Sequence, residues 1–189
     1  MIYLVTGCAG FIGFHLSNNL LKNTKNKVYG IDSLNNYYST KIKKERLKIL
    51  KKKKNFFFYK VDVSKESELK KIEKKIPKLD YLWLLSANSD IRAGIKNFQV
   101  DLENTFMTTY VSLNFFKNKL KKKNQIIFSS SSAVYGKLKK KISENNKIFL
   151  PISNYGESKL ISEIYIKNFA EKNNLNYLIL RFPNVVGKP

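Results

Sequence analysis

Short apolar runs alternate along the whole chain with longer stretches in which apolar residues recur every three to four positions. The runs predict strands over residues 2–6, 27–31, 56–61, 81–85, 125–129 and 177–182, and the periodic stretches predict helices over 11–22, 40–50, 66–74, 101–120 and 155–171. In the last of these, Leu160, Ile161, Ile164 and Phe169 recur at helical spacing. Strand and helix in alternation imply βαβ units, and therefore an α/β fold built on a doubly wound parallel sheet of six strands. Right-handed crossovers then give the strand order 3-2-1-4-5-6, with a ligand cleft at the carboxyl ends of strands 1 and 4.

The first strand runs directly into Gly7, Gly10 and Gly13, and an apolar helical pattern follows without a break. A parallel strand that turns this sharply into a helix presents the helix's first backbone N–H groups to an anion, and glycine leaves room for a pyrophosphate to approach. The spacing G-x-x-G-x-x-G differs from the commoner G-x-G-x-x-G. Asp32 strengthens the reading, because it closes the second apolar run about 20 residues after the glycines, where a carboxylate accepts the hydroxyls of an adenosine ribose. With no arginine beside it in the sequence, Asp32 is expected to repel a 2′-phosphate and so to select NAD over NADP.

Composition narrows the class. At 189 residues and 43% hydrophobic content the chain suits one domain with a real core. No apolar run approaches the roughly 20 residues of a membrane span, and no basic segment with a following apolar stretch and cleavage site opens the sequence, so a cytoplasmic location and no membrane partner are expected. Cys8, alone in the sequence, lies in the glycine turn and is expected to pack. The net charge of +22 invites a nucleic-acid reading, yet only Arg46, Arg92 and Arg181 of the 36 basic residues are arginine, and phosphate or base recognition favours arginine. A solvated lysine surface explains the charge, and no specific nucleic-acid partner is expected. The lysine runs at 51–54, 121–123 and 139–141 read as connectors.

Two later stretches carry chemistry: I-I-F-S-S-S-S-A-V-Y-G, residues 126–136, and Y-G-E-S-K, residues 155–159. Tyr155 and Lys159 are four apart and share a helix face. A phenol titrates near 10, too high for a base at neutral pH, and a nearby ammonium is expected to lower it. Ser131, at the carboxyl end of the fifth strand, can orient the same substrate hydroxyl. Serine, tyrosine and lysine around a dinucleotide cleft suit oxidation of an alcohol; no metal is required.

Taken together, T-G-C-A-G-F-I-G (6–13), Y-G-I-D-S-L-N-N-Y-Y (29–38), V-D-V (61–63), S-S-S-S-A-V-Y-G (129–136), Y-G-E-S-K and R-F-P-N-V-V-G (181–187) make the chain resemble the extended short-chain dehydrogenase/reductase family, in particular its NAD-dependent nucleotide-sugar epimerases, along essentially its whole length. The resemblance implies that Asp32 and Asn36 hold the adenosine ribose, that Asp62 and Val63 contact the adenine, and that Phe11 and Ile12 offer backbone amides to the pyrophosphate beside Gly7, Gly10 and Gly13. It places Asn104 behind the nicotinamide, with Tyr155 and Lys159 against the cofactor, and gives Ser131, Arg92 and Asn184 to the sugar nucleotide. Leu84 and Ser86 stand where the family has a histidine and an alanine. Leu84 is expected to pack.

The resemblance implies NAD-dependent epimerisation at C4 of a UDP-hexose or UDP-hexuronate through a 4-keto sugar. Ser132 and Ala133 stand where related dehydratases carry an Asp-Glu pair, which favours epimerisation over elimination. Another nucleotide-sugar dehydratase, reductase or decarboxylase, and a non-catalytic NAD-binding module, remain the alternatives. A UDP-sugar is the expected partner and a homodimer a compatible assembly. Because the related enzymes continue into a C-terminal lobe that closes over the sugar, the 189 residues are expected to be an NAD-binding domain that lacks it.

Overall fold

In a computed structural model that describes residues 1–88, 91–137, 142–146 and 148–187, and all of their side chains but those of 91–93 and 122–124, the chain forms one six-stranded sheet. In chain order the elements are β1 (Ile2–Thr6), α1 (Phe11–Leu20), β2 (Lys27–Asp32), α2 (Thr40–Lys51), β3 (Phe56–Lys60), α3 (Glu66–Lys70), β4 (Leu79–Leu84), α4 (Ile91–Lys96), α5 (Phe98–Asp101), α6 (Thr108–Phe116), β5 (Leu120–Ser131), α7 (Asn154–Asn173) and β6 (Asn176–Phe182). All pairings are parallel and the spatial order is β3-β2-β1-β4-β5-β6, as the apolar pattern predicts.

The sheet separates two cores, and strand alternation assigns residues to them. Along β1, Leu4 points into a cluster with Leu82, Leu84, Ile126, Phe128 and residues of α6 and α7, whereas Tyr3 and Val5 join Cys8, Phe14, Leu47 and Leu50 beneath α1 and α2. Cys8 is fully buried, and a Cβ on Gly30 would meet its sulfur at 2.7 Å. Its role is packing, and burial pushes its thiol well above the usual range. Leu84, 2% exposed, is likewise a core residue.

Three elements differ from the pattern-based reading. The expected helix over 101–120 is α5, a π-helical stretch Leu102–Met107 and then α6, ending at Phe116 so that β5 begins at Leu120. The expected helix over 66–74 is the short α3 followed by a 3₁₀ turn, Glu73–Lys75. Finally, α4 occupies a segment for which apolar spacing predicts no element. No helix among the described residues is long and apolar enough to cross a membrane.

Candidate functional site

A cleft of about 830 Å³ opens across the carboxyl ends of β1, β2, β4 and β5. Its floor is the glycine turn. Gly7 takes φ +69°, and a Cβ there would lie 3.1 Å from the Leu85 and Ser86 backbone; one on Gly13 would run into the Gly7 carbonyl. With glycine at these positions α1 sits directly over the end of β1. The first intrahelical bond runs from Phe14 N–H to the Gly10 carbonyl, so the amides of Phe11, Ile12 and Gly13 precede the ladder and make an anion site. Thr6 ties β1 to β4 across the same end: its hydroxyl accepts the N–H groups of Leu85 (3.0 Å) and Ser86 (3.2 Å).

Asp32 ends β2 at the rim. Its Oδ2 accepts the Ala9 N–H at 3.0 Å and its Oδ1 the Leu34 N–H at 2.8 Å, which joins the carboxylate to the glycine turn. The second contact closes a turn in which Leu34 takes φ +56°. That turn brings Asn35 into the cleft lining, and Asn36 beside it is exposed. The fold also brings Arg46 and Lys43 of α2 to the wall beside Asp32, so the absence of a neighbouring cation holds in the sequence and not in space. Asp62 and Val63 line the adjoining wall after β3.

At the other end stand Ser131, Tyr155 and Lys159. Ser131 Oγ accepts the Ala133 N–H at 3.1 Å and faces the same cleft as the Tyr155 phenol, whose pKa it lowers. Lys159, 1% exposed, donates from Nζ to the Ser129 carbonyl at 2.6 Å and lies 5.7 Å from the centre of the Tyr155 ring. Its burial lowers its pKa to about 7, against the opposing pull of Glu163. The expected depression of the Tyr155 phenol is not found. Burial raises it, with a further push from the charge of Asp101, and together these outweigh the lowering by Ser131.

Asn104 lines the cleft from the π-helical stretch, its side chain donating to the Val100 carbonyl at 2.8 Å. Arg92 lies on α4, and its side chain falls outside the described residues. Asn184 is exposed and does not line the cleft, whereas Phe182, Pro183 and Val185 do.

Other residues of the site are not evident from sequence motifs. Glu163, 5% exposed, receives Arg181 Nη2 at 2.7 Å and the Ser130 hydroxyl, and Arg181 reaches the Tyr135 hydroxyl at 2.9 Å. This network stands behind Lys159, and its signal in the sequence is the i, i+4 spacing of Lys159 and Glu163. Asp101 is fully buried, accepts Asn88 Nδ2 at 2.7 Å, and has its carboxyl pushed up by burial. Among the described residues no His, Cys, Asp and Glu group could hold a metal.

The glycine cradle, the unladdered amides of α1 and the carboxylate at the end of β2 fit a dinucleotide, with the serine, tyrosine and lysine at its far end. The sequence profile of the NAD dependent epimerase/dehydratase family matches residues 3–189. The chain is 32% identical over 185 residues to the UDP-glucuronate 4-epimerase of Thermodesulfobacterium geofontis, covering 98% of this chain and 56% of that protein. The crystal structure of UDP-glucuronic acid 4-epimerase from Bacillus cereus with UDP-glucuronic acid and NAD superposes with a TM-score of 0.84 at 32% identity, over 96% of this chain and 56% of that one. The UDP-glucose 4-epimerase of Thermotoga maritima, solved with UDP-glucose, gives 0.80 at 28% identity, over 96% and 55%. The chain spans about half the length of the relatives it matches.

Proposed function

We propose, from the premise that this chain belongs to the NAD dependent epimerase/dehydratase family, that it is the NAD-binding and proton-transferring part of a UDP-sugar 4-epimerase. The observation that carries this reading is a single cleft joining Asp32 and the glycine turn at one end to Ser131, Tyr155 and Lys159 at the other. When bound, NAD supplies a reversible hydride acceptor whose oxidised ring is positively charged. The amides of Phe11, Ile12 and Gly13 would hold its pyrophosphate, Asp32 its adenosine ribose, and Asp62 and Val63 its adenine, with Asn104 behind the nicotinamide.

At the reacting end, Ser131 hydrogen-bonds the C4 hydroxyl of the sugar and aligns its proton with the Tyr155 oxygen. Tyr155 takes that proton as C4 is oxidised and returns it when the 4-keto sugar is reduced on its other face. Lys159 holds positive charge beside the phenol when protonated. Burial raises the Tyr155 pKa, and the positive charge that oxidised NAD would bring to this end would act in the opposite direction. Arg92 and Asn184 are proposed to meet the sugar nucleotide, and the relatives' further length to complete its pocket.

Two expected results test the reading. Calorimetric titration should give NAD binding tighter than NADP binding, because the Asp32 carboxylate repels a 2′-phosphate even with Lys43 and Arg46 on the same wall, and Asp32→Ala should weaken NAD by about tenfold or more through loss of charged hydrogen bonds; equal affinities for the two cofactors would remove this role for Asp32. In a chain extended to the full length of its relatives, Tyr155→Phe should lower turnover by about 10²-fold or more while NAD affinity stays within about threefold. An active Phe variant would place the base elsewhere.

A further inference from the structure

Lys159 is the most deeply buried lysine among the described residues, at 1% exposure. An ammonium taken out of water is unfavourable unless its protons find acceptors or an anion stands beside it. Among the described residues its Nζ has one hydrogen-bond acceptor, the Ser129 carbonyl, and the rings of Phe128 and Tyr155 lie 4.7 Å and 5.7 Å from it. The titratable groups of α7 beside it are Tyr155 and Glu163; Arg181 of β6 stands behind Glu163, and Asp101 of α5 reaches this end through its effect on Tyr155. Of these, Glu163 is the one that opposes the effect of burial on Lys159.

A glutamate one helical turn beyond a buried lysine is its natural partner. Here the carboxylate is turned elsewhere. Arg181 Nε donates to Glu163 Oε1 at 3.0 Å and to Oε2 at 3.2 Å, Arg181 Nη2 donates to Oε2 at 2.7 Å, and the Ser130 hydroxyl donates to Oε1. Ser130 and Arg181 are register partners across β5 and β6, so the sheet delivers both donors to the same carboxylate. The guanidinium is held from its far side as well: Nη1 donates to the Tyr135 hydroxyl at 2.9 Å, and the group lies 4.4 Å from the centre of the Phe149 ring and 5.2 Å from that of Tyr135. Hydrogen bonding to Glu163 keeps Arg181 protonated, and its positive charge cancels much of the field that the carboxylate would otherwise exert on Lys159.

Resting on the reading that Lys159 serves Tyr155, we propose that Arg181 is a positioning residue of this site: by holding Glu163 in an ion pair it withholds that carboxylate from Lys159, and so sets the charge that the lysine presents to the phenol. With Glu163 free, the ammonium would keep its proton throughout the neutral range. With Glu163 committed to Arg181, the lysine can give up and regain a proton there.

Nuclear magnetic resonance of the 189-residue chain carrying isotope-labelled lysine tests this, with neither NAD nor sugar present. The Lys159 Cε signal is the one missing from Lys159→Met, and in the unaltered chain it should titrate at about 7. Arg181→Met should raise that midpoint by about one pH unit or more, and Glu163→Gln should lower it by a similar amount, as expected for charges acting at close range. A merely structural role would not give opposite shifts, because loosened packing admits water and raises the midpoint in both variants. Shifts of the same sign, or an Arg181→Met midpoint equal to that of the unaltered chain, overturn the proposal. Should either variant lack a cooperative melting transition, Ser130→Ala decides, since it removes one donor from Glu163 and leaves the ion pair in place: the midpoint should rise by about 0.3 pH unit or more, and an unchanged midpoint overturns the proposal. A failure of the epimerase reading is distinguishable from a failure here, because it shows as absent turnover in the extended chain and neither cofactor nor sugar enters this titration.

Discussion

Incubated with NAD and a panel of UDP-sugars, the 189-residue polypeptide is expected to bind NAD and to epimerise none of the sugars at an enzymatic rate. The cofactor half of the cleft is walled by α1, the turn after β2 and the segment after β3, all of which lie within these residues. The sugar half is not comparably enclosed. Asn184 lies outside the lining, and around the same end Ile148, Leu150, Ile152 and Val186 are 64%, 63%, 71% and 89% exposed. Hydride transfer requires the sugar carbon within about 3–3.5 Å of its acceptor, so a nucleotide sugar held on one side loses orientation before the dinucleotide loses affinity. The exposed apolar side chains should also make the polypeptide prone to associate. Separation of the reaction products checks the first point and light scattering the second. Epimerised sugar at a normal rate would show that these residues suffice for the chemistry.

How much of this was legible in the sequence depends on what each residue's position rests on. The sheet order follows from apolar runs alternating with helical periodicity, because a buried parallel strand has to be apolar on both faces. The glycine turn, Asp32, Asp62, Val63 and Ser131 fall at the ends of those strands and so converge wherever the sheet puts them, and Tyr155 and Lys159 reach the same cleft from the first turns of α7. What the pattern missed lies in the connections. Nothing in S-L-N-N-Y-Y distinguishes Asn35 from Asn36 until Leu34 adopts a left-handed φ and turns one of them inward. Lys43 and Arg46 disappear among the other basic residues of α2, since a one-dimensional reading counts charges without their burial. Glu163 and Arg181 pair across α7 and β6, a contact of |i−j| 18 that no local spacing announces. The Tyr155 shift was missed for a related reason: proximity of the ammonium is visible as an i, i+4 spacing, but the desolvation that outweighs it is a property of the packed site.

Lys159→Met is expected to make the chain more stable near pH 6 and to leave it nearly unchanged near pH 10. In the unfolded chain a lysine titrates near 10.5, and in the folded chain burial lowers Lys159 to about 7. Below pH 7 both states carry the proton, and folding bears the full cost of an ammonium that is 1% exposed. Between pH 7 and about 10.5 the folded chain has released the proton and the unfolded chain retains it. Unfolding then takes up a proton, and stability rises with pH. The total is on the order of 4 kcal/mol across that window. Lys43, lowered by burial, adds a contribution of the same sign, so the comparison with the Met variant isolates Lys159. Tyr155 acts in the opposite direction and only above its ordinary range, since a raised phenol favours unfolding once the unfolded chain ionises. Methionine keeps a similar apolar length and removes the charge, at the cost of the hydrogen bond to the Ser129 carbonyl. Urea unfolding of both proteins at intervals from pH 6 to pH 10 checks the expectation: the stability difference should shrink steadily toward alkaline pH, and parallel pH profiles would show that Lys159 is buried without the electrostatic cost assigned to it. A cost of this kind is what a lysine kept for chemistry imposes on the fold, because the same desolvation that destabilises the ammonium brings its pKa into the range where it can exchange a proton at neutral pH.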